Sequence, residues 1–136
     1  MLYRAVSGAG AVLHCHSPQS VGFSRALRGV DHFDFAGHEM LKAFPGVGTH
    51  AVSRRLMLVD NSQDMAEIEA ALGDRLAAAD AAPAFLIRDH GLYAWGQDLD
   101  EAERVLEATE WLIAAELAER AFSHHERPHP RRETPA

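Results

Sequence analysis

The alternation of apolar and polar residues divides the chain into short segments of two kinds. Apolar or alternating runs bounded by turn residues predict β-strands, at residues 9–16, 31–36, 54–59, 84–88 and 92–96. Apolar residues spaced three or four positions apart predict helices, at residues 18–27, 37–44, 63–79 and 98–122. Because strands and helices are interspersed, the pattern predicts one layered α/β domain over residues 1–122.

The helix boundaries and apolar faces give more specific expectations. Ser17 is a favoured N-cap, Pro18 suits the first helical position, and Gly29 is a stop signal. The apolar faces of the last two helices are expected to comprise Met65, Ile68, Leu72 and Leu76, and then Val105, Leu106, Leu112, Ile113 and Leu117. Trp95 and Trp111 are interpreted as packing residues. The Pro-, His- and Arg-rich residues 123–136 predict a disordered tail.

Composition narrows the class of protein and its partners. The chain has 136 residues, 47% of them hydrophobic and 24% charged, with a formal net charge of -7. These values are typical of a globular protein, and the negative charge argues against nucleic acid or an anionic membrane as partner. A single cysteine excludes an intramolecular disulfide. The sequence shows neither a signal peptide nor a long apolar run, which favours a cytoplasmic location.

The strongest local motif is His14-Cys15-His16, at the end of the first predicted strand. Side chains alternate across a strand, so His14 and His16 share one face and can converge on one ion, while Cys15 points the other way. The alternative is a pair of strand-end histidines that hydrogen-bond to their neighbours. The short pattern alone does not separate these two interpretations.

His90 is the candidate for a third metal ligand. It follows the predicted strand 84–88, and Gly91 allows a sharp turn there. Three neutral ligands with an open coordination position are typical of a catalytic metal site. A structural role at the turn is the alternative for His90. Cys15 is a rival ligand that the strand geometry disfavours, and we interpret it as a small buried residue.

Glu39 and Lys42 form the last candidate pair. They are three residues apart, so they share a face of the short helix 37–44. The spacing alone indicates a solvated ion pair. The functional interpretation makes Glu39 a general acid/base beside the metal, with Lys42 near an anionic group of the substrate.

Five stretches of the chain together resemble the class II aldolase/adducin-like superfamily and, within it, the methylthioribulose-1-phosphate dehydratases. They are GAVLHCHS at 10–17, GHEMLK at 37–42, GTH at 48–50, VDNSQD at 59–64 and LIRDHGLYAWG at 86–96. The H-x-H and the late His-Gly are shared across the superfamily. The Glu-Met-x-Lys stretch after the H-x-H and the Tyr-Ala-Trp-Gly ending point to the dehydratases. The resemblance covers roughly residues 1–121.

The resemblance implies a fold, a cofactor and a reaction. The fold is a three-layer α/β/α domain with a mostly antiparallel sheet. His14, His16 and His90 hold one Zn²⁺, and Glu39 is the catalytic acid/base. The reaction dehydrates a sugar phosphate, 5-methylthioribulose 1-phosphate, in methionine salvage. The family assembles as tetramers with sites at subunit interfaces, so a homo-oligomer is expected.

The sequence departs from the family pattern in two places. Cys15 stands where the family usually has Thr. The family also has several dozen further residues before the H-x-H strand, which carry strands and phosphate-holding loops, so we expect an N-terminally truncated domain. Two alternatives follow: another sugar-phosphate aldolase or epimerase of the superfamily, or a degenerate, non-catalytic remnant that binds partners.

Overall fold

The computed structural model describes residues 2–125, with four α-helices and one five-stranded sheet. The strands are β1 (Ala11–Cys15), β2 (His32–Ala36), β3 (Ser53–Val59), β4 (Ala81–Ile87) and β5 (Gly91–Gly96). The helices are α1 (Leu2–Ala5), α2 (Pro18–Ala26), α3 (Met65–Leu72) and α4 (Leu99–His125), and two 3₁₀ helices span Glu39–Ala43 and Gly73–Ala77. Residues 123–125 of the predicted disordered tail 123–136 are instead the helical end of α4, and residues 126–136 lie outside the described part.

The strand order of the sheet is β1-β5-β4-β3-β2. Only β3 and β4 pair in parallel, and the other three pairings are antiparallel. The mostly antiparallel sheet predicted above is therefore confirmed. It follows that β1, β3 and β4 run in one direction and end at the same edge of the sheet, whereas β2 and β5 run the opposite way.

Helices cover both faces of the sheet, which gives the three layers of the predicted fold. On one face α2 and α4 pack through residues such as Phe23, Val105 and Leu112. On the other face Ile68, Leu72 and Leu76 pack against the strands. Each of these six side chains is at most 5% exposed. Side chains that alternate between the two faces of the strands thus belong to two separate hydrophobic cores.

The predicted start of α2 is confirmed in detail. The backbone N–H of Ser20 donates to Ser17 Oγ at 3.0 Å, and Pro18 is the first helical residue. On α4, Val105, Leu112 and Ile113 are fully buried and Leu106 and Leu117 are partly buried against the same core. The apolar face predicted for this helix is therefore also confirmed.

Three local predictions are wrong. Helix 63–79 breaks at Gly73, whose φ of 51° does not fit a right-handed helix, and a 3₁₀ helix continues the chain. Met65, the first residue of α3, is 51% exposed, whereas Ile68 and Leu72 on the same helix are buried. Trp111 is 49% exposed, and its ring meets the His38 ring edge-on at 6.1 Å between centroids. Within residues 2–125, no helix is long and apolar enough to cross a membrane.

Candidate metal centre

The three histidines singled out from the sequence meet at one edge of the sheet. His14 is near the end of β1, His16 follows that strand, and His90 follows β4. Because β1 and β4 end at the same edge, with β5 between them, the three rings converge. One nitrogen from each ring lies within 4.8 Å of the other two. The convergence expected for the H-x-H motif and His90 is therefore present in the structure.

Alternation along β1 separates His14 from Cys15, as predicted. The His14 ring stacks on Tyr93 at 3.9 Å between centroids, on the face of the sheet that α3 covers. Cys15 points to the face covered by α4, where its Sγ donates to Glu110 Oε1 at 3.2 Å. Burial and the hydrogen bond to Glu110 raise the pKa of Cys15 to about 11. Cys15 is thus a protonated thiol on the opposite face of the sheet from the His14 ring, and it cannot join the histidines as a metal ligand.

Hydrogen bonds to oxygen atoms fix the tautomers of two of the rings. His14 Nδ1 lies 2.8 Å from the main-chain oxygen of Leu92, and His90 Nδ1 lies 3.3 Å from Asn61 Oδ1. Both oxygens can only accept, so each Nδ1 carries the proton. The Nε2 atom of each ring is then left with its lone pair, which is the form that binds a metal.

His14 Nε2 and His16 Nε2 are 2.6 Å apart, facing each other. Burial lowers the pKa of His14, helped by the neighbouring rings of His16 and His90 and opposed by the hydrogen bond to Leu92. Imidazole nitrogens crowded in this way suit a bound cation, which can occupy the space between them. The donor set fits a divalent ion such as Zn²⁺.

The turn between β4 and β5 shows why glycine follows His90. A Cβ atom at Gly91 would lie 2.1 Å from the carbonyl oxygen of Cys15 and 3.0 Å from His16 Cδ2. No side chain fits there, because β1 approaches β5 at this point. Gly91 therefore allows the two segments that carry the histidines to come together.

Glu39 and Lys42 lie at the opposite edge of the sheet from the three histidines. They follow β2, which runs in the opposite direction to β1. Their 3₁₀ helix packs on the face of the sheet that α4 covers, through Leu41. The Glu39 carboxylate pairs with Lys42 and lies 3.4 Å from His50 Nδ1. The hydrogen bond from Lys42 lowers the pKa of Glu39, which is 69% exposed. Within one chain, the predicted acid/base and the histidines are thus not brought together.

Asn61 is the residue at this centre that the sequence analysis did not single out. It lies in the stretch Asp60-Asn61-Ser62, whose composition indicates a turn. Its contact with His90 arises because β3 and β4 are parallel neighbours, so that the segments after them lie side by side. That pairing has no signal in the local sequence.

Comparisons with known proteins identify the family. A family model described as "Class II Aldolase and Adducin N-terminal domain" matches residues 1–117. The chain is 39% identical over 117 residues to a methylthioribulose-1-phosphate dehydratase of Parvibaculum lavamentivorans, covering 86% of this chain and 57% of that protein. It is 42% identical over 120 residues to the enzyme of the same name from Pseudomonas savastanoi pv. phaseolicola, covering 88% of this chain and 58% of that one. The chain therefore spans somewhat more than half the length of these relatives.

Solved structures show the same fold. YgbL of Escherichia coli, described as a putative aldolase/epimerase/decarboxylase, superimposes with a TM-score of 0.63 at 26% identity, over 95% of this chain and 56% of that chain. The l-fuculose-1-phosphate aldolase of Thermus thermophilus superimposes with a TM-score of 0.62 at 22% identity, over 90% and 59% of the two chains. With the family match over residues 1–117, these likenesses establish that the chain belongs to the class II aldolase and adducin N-terminal domain family.

Proposed function

We propose that this chain carries the metal-binding part of a zinc-dependent methylthioribulose-1-phosphate dehydratase of methionine salvage. The reaction removes water from 5-methylthioribulose 1-phosphate and gives 2,3-diketo-5-methylthiopentyl 1-phosphate. The observation that carries the proposal is the convergence of His14, His16 and His90. It is supported by relatives of that name at 39% and 42% identity.

In this proposal the three histidines hold one Zn²⁺ through Nε2. Leu92 and Asn61 accept hydrogen bonds from the distal nitrogens and so keep two of the rings in the ligating tautomer. When bound, the ion polarises the C2 carbonyl and acidifies the neighbouring C3–H bond. Three imidazoles also accept iron, cobalt or manganese, so the donor set defines a divalent site rather than one metal.

Glu39 is the proposed acid/base. Its pKa is lowered by Lys42, so the carboxylate is ionised at neutral pH and can accept the C3 proton. It then returns that proton to the departing C4 hydroxyl, which leaves as water, and the enol that remains relaxes to the second ketone. Lys42, beside Glu39, is proposed to face an anionic group of the substrate.

Because Glu39 and the histidines lie at opposite edges of one sheet, we propose that Glu39 serves the metal centre of a neighbouring copy. Exposure favours this arrangement: the Glu39 side chain is 69% exposed, and His14 and His16 are also exposed. A homo-oligomer, a tetramer by the family pattern, would then complete each site. Each chain would contribute the metal ligands of one site and the carboxylate of another.

An aldolase or epimerase activity is the second candidate, favoured by the likeness to YgbL and its description. The degenerate, non-catalytic remnant is the third, since the chain spans little more than half of its relatives. Turnover of 5-methylthioribulose 1-phosphate separates the three. Only the dehydratase forms the diketone phosphate, and the remnant converts neither this substrate nor an aldol substrate.

The role of Glu39 is tested by Glu39→Gln, with Glu69→Gln, at an exposed position of α3, as the matched control. Loss of a general acid/base typically costs 10²- to 10⁴-fold in rate. We expect Glu39→Gln to lower kcat by about that factor, with metal content unchanged and Glu69→Gln near wild type. Retained dehydration by Glu39→Gln would exclude Glu39 as the acid/base.

The neighbouring-copy arrangement is tested by mixing two inactive variants. Glu39→Gln chains keep their histidines, and His90→Ala chains keep their carboxylate. After unfolding and refolding together, mixed oligomers contain some sites with both parts intact. We therefore expect part of the dehydratase activity to return in the mixture, whereas a site built within one chain predicts none.

A further inference from the structure

We propose that Asn61 is a positioning residue for the metal centre: its side-chain oxygen holds His90 in the tautomer that presents Nε2 to the ion. The proposal rests on the metal-binding role given to His14, His16 and His90 above. It assigns a role to one residue of the stretch VDNSQD at 59–64, which contributes to the family resemblance but gave no candidate site residue.

The contact itself is a product of the sheet. β3 ends at Val59, which pairs in parallel with Ile87 at the end of β4. The backbone N–H of Arg88 donates to Val59 O at 2.8 Å, so the two strands stay in register to their last residues. Asn61, two residues beyond Val59, then places Oδ1 3.3 Å from Nδ1 of His90, three residues beyond Ile87.

Arg88 anchors the segment that carries Asn61. Its side chain is almost fully buried, and its Nε donates to Asp60 Oδ1 at 2.9 Å. Its Nη1 and Nη2 donate to main-chain oxygens at the end of α2 and just after it, on Ser24, Leu27 and Val30. The Asp60 side chain is 89% exposed, and its charge-assisted hydrogen bond with the buried Arg88 holds it against the protein.

Asp89 anchors the segment that carries His90 to the same helix. It adopts a left-handed φ of 59°, which is uncommon for a residue other than glycine. Its carboxylate accepts hydrogen bonds from Arg25 at 2.7 Å and Arg28 at 3.0 Å, and its backbone N–H donates to Ser24 Oγ at 3.2 Å. These contacts offset the backbone strain.

The segments that carry both partners of the Asn61–His90 contact are therefore held against α2 by protein contacts. Asn61 Oδ1 can only accept, so it selects the Nδ1–H form of His90. Without that acceptor, the Nε2–H form competes, and its lone pair points away from the centre. Removal of such an oxygen partner of a metal-ligating histidine typically weakens metal binding by 10- to 100-fold.

The first test reads the tautomer of His90 in the metal-free full-length chain, by ¹⁵N chemical shifts and long-range ¹H–¹⁵N couplings. The His90 signals are assigned by their loss in His90→Gln. We expect the Nδ1–H tautomer in wild type and in Asn61→Asp, which keeps an acceptor oxygen, and a mixture of tautomers in Asn61→Leu. The control is Gln63→Leu, which removes an exposed amide two residues after Asn61. An unchanged tautomer in a folded Asn61→Leu would overturn the proposal.

The second test titrates Co²⁺ into the same variants and follows its visible absorption. Only the binding that His90→Ala abolishes is counted. We expect Asn61→Leu to raise Kd by about 10- to 100-fold, Asn61→Asp to restore binding to within a few-fold of wild type, and Gln63→Leu to leave it unchanged. Wild-type Kd in folded Asn61→Leu would refute the positioning role while leaving the metal centre intact. If wild type binds no Co²⁺ at this site, the proposed function fails, and the tautomer measurement still decides whether Asn61 orients His90.

Discussion

At the scale of single residues, two of the three rings of the candidate site contact an oxygen atom that selects their tautomer. His14 donates to Leu92 and His90 to Asn61, and both rings keep Nε2 free. The alternation that puts His14 and His16 on one face follows from strand geometry and was predictable from the sequence. The oxygen partners were not predictable, because they come from segments 78 and 29 positions away.

Cys15 gives a prediction at the same scale. The pKa of its thiol is raised from 9.0 to about 11 by burial and by the Glu110 carboxylate. Because the thiolate is the nucleophile, a pKa raised to this extent lowers the thiolate fraction at pH 8 by about 100-fold. We expect iodoacetamide to alkylate Cys15 about 100-fold more slowly in the native, metal-free chain than in the urea-unfolded chain.

The same measurement across pH checks the cause. The native alkylation rate should keep rising above pH 9, as the pH approaches the raised pKa. In Glu110→Gln, which removes the negative charge, the rate at pH 8 should increase. Equal rates in native and unfolded chains would show that neither burial nor Glu110 acts on the thiol.

At the scale of elements, local signals predicted most helices and strands, and packing decided the rest. Ser17 and Pro18 start α2 as their residue types predict. Gly73 interrupts the helical spacing from Met65 to Leu76, which the pattern of apolar residues alone did not reveal. Trp111 precedes the buried Leu112 on α4 but is itself 49% exposed. A helix pattern shows which residues are apolar, whereas exposure depends on what the helix packs against.

An alanine substitution at Gly91 tests the close approach of β1 to β5, and the same substitution at Gly22 is the control. A Cβ at Gly91 meets the Cys15 carbonyl at 2.1 Å, whereas a Cβ at Gly22, inside α2, meets nothing within 4 Å. We expect Gly91→Ala to lower the free energy of unfolding by about 1–3 kcal/mol, since the strand must shift. Gly22→Ala should raise it by about 0.5–1 kcal/mol through helix propensity.

Urea denaturation of both variants measures these changes. Gly91→Ala should also weaken metal binding, because the shift separates His16 from His90. A Gly91→Ala variant as stable as wild type would contradict the close approach of the two strands. A destabilised Gly22→Ala would contradict the open surroundings of that position.

At the scale of the whole molecule, the order and direction of the strands decide which residues meet. The layered α/β class was predictable, because strands and helices alternate along the chain. The order β1-β5-β4-β3-β2 was not, since strand pairing depends on contacts distant in sequence. That order brings the histidines of β1 and β4 to one edge, together with Asn61 after β3. It also carries Glu39, after the reversed β2, to the other edge.

This separation makes the metal centre the part of the proposed site that one chain can form alone. Its three ligands come from a single edge of the sheet, and their supporting contacts are all within residues 2–125. The proposed carboxylate, in contrast, requires a second copy. Metal binding and catalysis are therefore expected to depend differently on assembly.

The most direct test of this account is the metal content of the purified full-length chain, measured by mass spectrometry after incubation with Zn²⁺ and desalting. His90→Ala is compared with wild type, so that any ion on the histidines of the tail is counted equally in both. His32→Ala, which removes a half-buried histidine outside the centre, is the control. We predict one more tightly held ion per chain in wild type and in His32→Ala than in His90→Ala. Equal zinc content in wild type and His90→Ala would contradict the metal centre and, with it, the dehydratase proposal.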